Sequence, residues 1–314
     1  MVCAFTFPGQ GSQTVGMGKA LSDQFPEARS VFEEVDDALG EKLSSVMFEG
    51  PEDVLTLTAN AQPALMAVSM AVIRVLEKNG LDLKNKVSFV AGHSLGEYSA
   101  LCAAGTFSLA DTARLLRTRG NAMQEAVAVG EGAMAAIIGL EENIVAEICS
   151  SVLGEGVCEI ANDNGGGQLV ISGATKAVNA AVKLATEKGA KRAILLSVSA
   201  PFHSSLMQPA AEAMHDALLD VNKLPPSVPV VPNISVKPET DPDKIIELLV
   251  RQVTGRVRWC ETVEWFAAHN VDTLFEIGSG KVLTGLARRI DRHLTGLTVG
   301  TADEIENALK TLGV

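Results

Sequence analysis

The order of apolar and polar positions along this chain switches repeatedly between a strand period and a helix period. The run Cys3–Phe7 is almost wholly apolar and reads as a first core strand. From Pro63 to Asn79 apolar side chains recur at helical spacing, with Pro63 suited to the first turn and Gly80 to the stop. An apolar strand follows at Val87–Ala91, then a helix from about Ser94 and another over Leu109–Ala126. Strands alternating with helices in this way predict a mainly parallel sheet with helices on both faces.

The middle of the chain has a different rhythm. Met134–Leu140 is strand-like, Glu141–Val152 helical, and Val157–Asn162 and Gln168–Ser172 are strands joined across Asn164-Gly165-Gly166-Gly167, a run suited to a hairpin turn. A helix over Ala174–Lys188 and a strand over Arg192–Val198 complete a β-α-β-β-α-β order, the ferredoxin-like pattern. The expected organisation is a large α/β subdomain built from 1–127 and 198–314, with a ferredoxin-like small subdomain, 128–197, inserted into it. Beyond the insert come a helix near Ser205–Leu219, a Pro-rich loop at 225–232, helices near Asp243–Val253 and Trp259–His269, and a strand at Val271–Ile277. The tail past about Arg292 carries no distinctive pattern.

Composition narrows the picture. A chain of 314 residues, 47% hydrophobic and 20% charged, can bury a sizeable core, which argues for a globular enzyme and against disorder. The most apolar stretch, Pro63–Leu76, is interrupted by Arg74 and too short to span a bilayer. The N-terminus lacks the basic region and long apolar run of a signal peptide. The five cysteines are scattered without zinc-ligand or CxxC spacing, so reduced thiols and a cytoplasmic location are expected, with no metal. A net charge of −12 disfavours nucleic acid and anionic membranes as partners.

Gly92-His93-Ser94-Leu95-Gly96 matches G-x-S-x-G, with an apolar strand leading in and a helix-forming stretch leading out. A serine on such a strained turn presents its hydroxyl at the carboxyl end of a sheet, which makes the large subdomain α/β-hydrolase-like. The backbone N–H of Leu95 is then placed to stabilise an oxyanion. The competing reading is a Gly-rich turn whose serine merely caps a helix.

A nucleophilic serine needs a base. Of the five histidines, His93 adjoins the serine and is expected to point elsewhere, while His215, His269 and His293 lie in or near helices. His203 sits on a loop between a strand and a helix, and is favoured over His215. No acid singles itself out as its partner, so a backbone carbonyl is the expected orienter of the imidazole.

The loop Pro8-Gly9-Gln10-Gly11-Ser12-Gln13 fails the dinucleotide and P-loop patterns, since Thr14 replaces the third glycine of the one and Ala20 the Ser or Thr of the other. It reads as a tight turn or as the source of a second oxyanion N–H. Among Arg114, Arg117 and Arg119, one turned inward could hold a carboxylate, but spacing does not choose which.

These pieces together resemble the malonyl-CoA:acyl-carrier-protein transacylase family. The stretches that carry the resemblance are FPGQGSQTVGMG at 7–18, QPAL at 62–65, GHSLGEYSAL at 92–101, RGNAMQEA at 119–126, GAMAAIIGL at 132–140, ANDNGGGQLVISG at 161–173, APFHSSLM at 200–207 and FEIGSGKVL at 275–283. The resemblance implies Ser94 as nucleophile, His203 as base, and the backbone N–H groups of Gln10 and Leu95 as oxyanion donors. It implies that Arg119 grips the free carboxylate of malonyl, that Gln252 positions the histidine at the substrate site, and that Asn162 and Gln62 line the cleft. Phe202 resembles the malonyl-selective form of its loop. The implied partners are malonyl-CoA and acyl carrier protein, with no cofactor beyond the CoA thioester itself. Lys281, Arg288 and Arg289 are the expected docking residues for the carrier protein, because they fall at i, i+7 and i+8 on a helix beyond the strand ending at Ile277. The rival readings are a discrete polyketide-pathway acyltransferase, a serine thioesterase or other hydrolase, and a non-catalytic carrier-protein-binding module.

Overall fold

Nine strands form two sheets in the computed structural model, which describes residues 1–314. They are β1 (Cys3–Phe7), β2 (Phe89–Gly92), β3 (Gly132–Ile138), β4 (Cys158–Asp163), β5 (Gln168–Ala174), β6 (Arg192–Leu195), β7 (Val257–Arg258), β8 (Thr273–Ile277) and β9 (Thr295–Val299). The first sheet has the order β2-β1-β8-β9 and is parallel throughout. A parallel sheet covered on both faces needs apolar residues at every position rather than at alternate ones. All five residues of β1 and of β8 are buried, with Thr6, Thr273 and Glu276 the polar exceptions among them.

The main core gathers around the helix Thr58–Lys78, which is long and apolar enough by length and composition to cross a bilayer. In this fold nearly every residue from Ala61 to Leu76 is buried inside the protein, as befits a core helix. The helix starts five residues before the expected Pro63, which lies inside it. Its polar first turn is held by tertiary contacts that local sequence does not reveal. The helix Leu109–Glu125 crosses here at Gly120, where an added Cβ would lie 2.5 Å from Ala59 Cα. This close approach brings Arg119 against Gln62.

The second sheet has the order β6-β3-β5-β4-β7. Its β3, β4, β5 and β6 pair antiparallel, in the order that a β-α-β-β-α-β unit requires, and the helices Glu142–Ser151 and Thr175–Glu187 pack on a separate small core that includes Ile137, Val145, Ile148 and Ile171. Gly165, Gly166 and Gly167 all have positive φ in the hairpin turn. The two-residue β7 pairs parallel with β4 and stitches this sheet to the rest of the chain. The tail, featureless in the sequence reading, forms β9 and a helix, Ala302–Leu312, started by a capping box between Thr301 and Glu304.

Register decides where chemistry can gather. Phe7 of β1 lies beside Gly92 of β2, so the loops that follow both strands emerge side by side at the carboxyl edge of the sheet. The turn after β2 is extremely tight. A Cβ on Gly92 would sit 1.9 Å from the carbonyl of Gly96, and one on Gly96 would sit 2.2 Å from the carbonyl oxygen of Phe7. We expect Gly92→Ala to destabilise the protein by about 1–3 kcal/mol, the range for forced overpacking. A reduced denaturation midpoint with unchanged m-value checks it.

Candidate active site

The turn between β2 and the helix Gly96–Ala103 holds Ser94 at φ 53°, a left-handed conformation that a serine adopts only under constraint. Two hydrogen bonds of the Asn233 side chain hold the turn in this conformation. The Ser94 N–H donates to Asn233 Oδ1 at 2.9 Å, and Asn233 Nδ2 donates to the Gly92 carbonyl at 2.8 Å. Asn233 reaches this point because Val230 and Val231 run alongside β2 at Val90.

Ser94 Oγ lies 2.7 Å from His203 Nε2. His203 also has positive φ, 57°, and is buried. Its Nδ1 lies 2.9 Å from the Gln252 carbonyl and 3.1 Å from that of Gly255. Two acceptors at Nδ1 place the proton there and leave the Nε2 lone pair facing the serine hydroxyl. No carboxylate touches the ring. Burial, reinforced by the Arg119 charge, pushes the imidazole down to about 3, so it is a neutral base throughout the physiological range. The two carbonyls oppose that shift and support the imidazolium that forms when the serine proton is taken.

Arg119 is the largest charged group in the core, 1% exposed. Its Nη1 donates to Gln62 Oε1 at 2.7 Å, and its Nη2 to Gln252 Oε1 at 3.0 Å and Ser94 Oγ at 3.1 Å. Nε has no partner, and no carboxylate comes within ion-pairing distance. Arg117 is instead paired with Glu41 and Asn60, and Arg114 with Asp111. The structure thus makes the choice among the three arginines that spacing left open.

A cavity of about 410 Å³ opens over Ser94, lined by Gln10, Gln62, Arg119, Asn162 and Phe202 among others. The backbone N–H groups of Gln10 and Leu95, from the loops after β1 and β2, donate to no other protein group. Two free donors beside a nucleophile are what an oxyanion hole requires. No three His, Cys, Asp or Glu side chains converge as metal ligands.

The acyl transferase domain model matches residues 4–292. The malonyl CoA-acyl carrier protein transacylase of Bacillus subtilis strain 168 is 47% identical over 310 residues, covering 98% of this chain and 96% of that one. The enzyme of that name from Escherichia coli K12 is 44% identical, covering 98% of each. The crystal structure of acyl-carrier-protein-S-malonyltransferase from Bartonella henselae superposes with a TM-score of 0.99 at 73% identity over the whole of both chains. A type II PKS acyl-carrier protein in complex with its malonyl-transacylase matches with a TM-score of 0.96 at 42% identity, over 99% of this chain and 100% of that one. This chain belongs to the acyl transferase family, among the malonyl CoA-acyl carrier protein transacylases.

Several residues stand differently from expectation. Gln252 is fully buried and does not line the cavity. Its carbonyl orients His203, while its side chain ties Arg119 to Ser94 O, Glu97 and Asn233, so it supports the site from behind rather than touching substrate. His93 does not turn away. It lines the cavity wall, with Nε2 2.9 Å from Asn164 Oδ1 and its ring near Trp259. Lys281, Arg288 and Arg289 are exposed and lack carboxylate partners. Arg289 reaches the cavity mouth, and with Arg288 and Arg292 it lines a neighbouring hollow of about 590 Å³ that Lys281 does not join.

Sequence reading passed over Asn233 and Glu97. Glu97 left a signal, as a lone carboxylate in the otherwise uncharged run Gly92–Ala104, now buried. Asn233 left none, because only folding brings it to the elbow. The other histidines are elsewhere: His215 is exposed beside Asp216, and His269 stacks on Trp265. We expect His203→Ala to lower acyl transfer by about 10²–10⁴-fold, the usual contribution of a general base. His215→Ala and His269→Ala should keep most activity in the same steady-state assay.

Proposed function

We propose that this chain transfers the malonyl group from malonyl-CoA to the phosphopantetheine thiol of acyl carrier protein through a malonyl-Ser94 ester. The observation that carries the reading is Arg119, a buried cation with no carboxylate partner and one Nη2 donor on the reacting oxygen itself. In a malonyl thioester the free carboxylate stands two bonds from the carbonyl carbon. Held by Arg119, it sets that carbon against Ser94 Oγ.

His203 Nε2 removes the Ser94 proton as Oγ bonds to the thioester carbon. The resulting oxyanion is held by the N–H groups of Gln10 and Leu95. The C–S bond then breaks, and CoA leaves as a thiol with the proton from His203. The carrier's thiol enters, gives its proton to His203, and attacks the ester carbonyl. Ser94 recovers that proton as the new thioester departs. One thioester becomes another, so the balance calls for no ATP, metal or redox cofactor. Asn162, Gln62 and Phe202 shape the pocket around the acyl chain. A thioesterase would deliver the acyl group to water and has no use for a buried guanidinium beside its nucleophile. We assign the product to fatty acid synthesis and the chain to the cytoplasm, a reading that its five free cysteines support. The likeness to a polyketide-system transacylase favours one second reading, service to a polyketide carrier, which relative rates with the two carrier types separate.

Incubation with malonyl-CoA alone should add one malonyl group per chain by intact mass, and Ser94→Ala should add none. Label persisting in that variant overturns the assignment. Arg119→Ala should lose malonyl transfer far more than acetyl transfer, by about 30-fold or more, since truncating one side of a buried charged pair costs about 2–5 kcal/mol. Equal losses would make Arg119 a structural residue.

Docking needs a local basic surface, because the chain as a whole carries −12. We place it at Arg288 and Arg289, joined by Arg292 in the hollow beside the cavity, with Lys281 exposed at the start of the same helix. Reversing Arg288 and Arg289 to Glu should raise KM for the carrier protein and weaken its salt dependence, with KM for malonyl-CoA little changed. Carrier kinetics unchanged across ionic strength would move the surface elsewhere.

A further inference from the structure

Among the buried ionisable groups that the mechanism does not use, Glu97 is the one joined to Asn233 and, through Gln252, to Arg119 at the elbow. Glu97 is 1% exposed, lies one helical turn beyond Ser94 and does not line the cavity. Its Oε2 accepts from the Asn233 N–H and from Gln252 Nε2, both at 2.9 Å. The same Gln252 amide accepts from Arg119 Nη2 through Oε1, at 3.0 Å. A carboxylate and a guanidinium, both buried, are therefore joined through one neutral amide, with no direct ion pair between them.

We propose that Glu97 is the internal counter-charge of Arg119, relayed through the Gln252 amide, and that the substrate's carboxylate takes over this role when malonyl binds. Glu97 is a positioning residue, acting through Gln252 and Arg119. The inference rests on Arg119 being the malonyl carboxylate's partner.

The electrostatics follow from the geometry. One buried cation can compensate one anion in a low-dielectric interior. In the free protein that anion is Glu97. Burial raises its carboxyl to about 7, against the pull of the Asn233 and Gln252 hydrogen bonds and of Arg119. A second carboxylate arriving at Arg119 makes the ionised form of Glu97 still less favourable, so binding is coupled to protonation of Glu97.

The helix Pro242–Thr254, which carries Gln252, holds its charged Asp243, Lys244, Glu247 and Arg251 exposed to solvent. Arg119 is the charge facing Glu97 from the helix Leu109–Glu125. Tyr98, from its own helix, is held protonated by burial, and His203 is held neutral at about 3. Burial likewise lowers His93 and keeps it neutral. Strands β1 and β2 contain no charged residue, and the 58–78 helix faces the site with neutral Gln62. Its charged Arg74 and Glu77 lie at the far end of the neighbouring helix, beside Cys102. The sign is then set. Binding of malonyl takes up a proton above the titration of Glu97, so affinity falls as pH rises.

Calorimetric titration of malonyl-CoA into the Ser94→Ala protein, in buffers of different ionisation enthalpy, reads the proton count directly. Uptake should climb from about zero near pH 6 to about one proton per site near pH 8, with affinity falling up to about tenfold per pH unit above the transition. Acetyl-CoA, which has no carboxylate, should bind with no such uptake. In Ser94→Ala/Glu97→Gln the glutamine oxygen can still accept both hydrogen bonds. The malonyl-specific uptake should vanish there, and malonyl-CoA should bind more tightly at pH 8. Malonyl-CoA binding without uptake, or with uptake unchanged in the double variant, overturns the proposal. Equal affinity for malonyl-CoA and acetyl-CoA would instead remove the Arg119 reading beneath it, and the proposal with it.

Discussion

Everything at this site depends on how closely the chain passes itself between Phe7 and Gly96. The turn after β2 is pressed against the end of β1 so tightly that neither Gly92 nor Gly96 has room for a single further carbon. That contact forces Ser94 into the left-handed region and presents its hydroxyl at the sheet edge. It also sets the loop after β1 beside the elbow, so that N–H groups from two distant segments can serve one oxygen. The strain is carried by hydrogen bonds between the Asn233 side chain and the backbone of Ser94 and Gly92 rather than by the reacting side chains.

Charge is the second organising constraint. The protein is acidic as a whole, yet its site is built around a buried cation that no carboxylate neutralises by contact. Arg119 acts in two directions. It adds to the burial that holds His203 neutral and ready to accept a proton, and it leaves a place for an anion beside the nucleophile. Gln252 is what makes these effects compatible. Its carbonyl fixes the imidazole tautomer while its side-chain amide separates Arg119 from Glu97, so the cation is balanced without being consumed by an ion pair.

The small sheet contributes shape more than chemistry. Its β4 delivers Asn162 to the cavity wall, and the hairpin glycines bring the backbone near Ile290 and Arg289 of the large part. The arginines at that seam are exposed and uncompensated by carboxylates, in contrast to Arg117 and Arg256, which are tied to acids. A basic rim around an apolar-walled cavity is the surface an acidic partner would meet.

Local pattern alone determined a good part of this protein. Period and turn chemistry carried the parallel α/β part and the β-α-β-β-α-β unit, because each strand and helix there is long enough to show its own rhythm. The G-x-S-x-G run in its strand–turn–helix setting marked Ser94, since the chemistry of a tight elbow is written in adjacent residues. What local pattern did not hold is everything made by convergence. Pro63 sits inside its helix because Gly120 lets a neighbouring helix grip the first turn, and β7 exists only because β4 offers it an edge. Arg119 rather than Arg117 turns inward, and the carbonyl expected to orient His203 turns out to belong to Gln252, with that of Gly255 beside it. Asn233 and Glu97 join the site from behind. These decisions rest on which segments meet across the sheet edge and on the cost of burying charge, and both are properties of the folded whole.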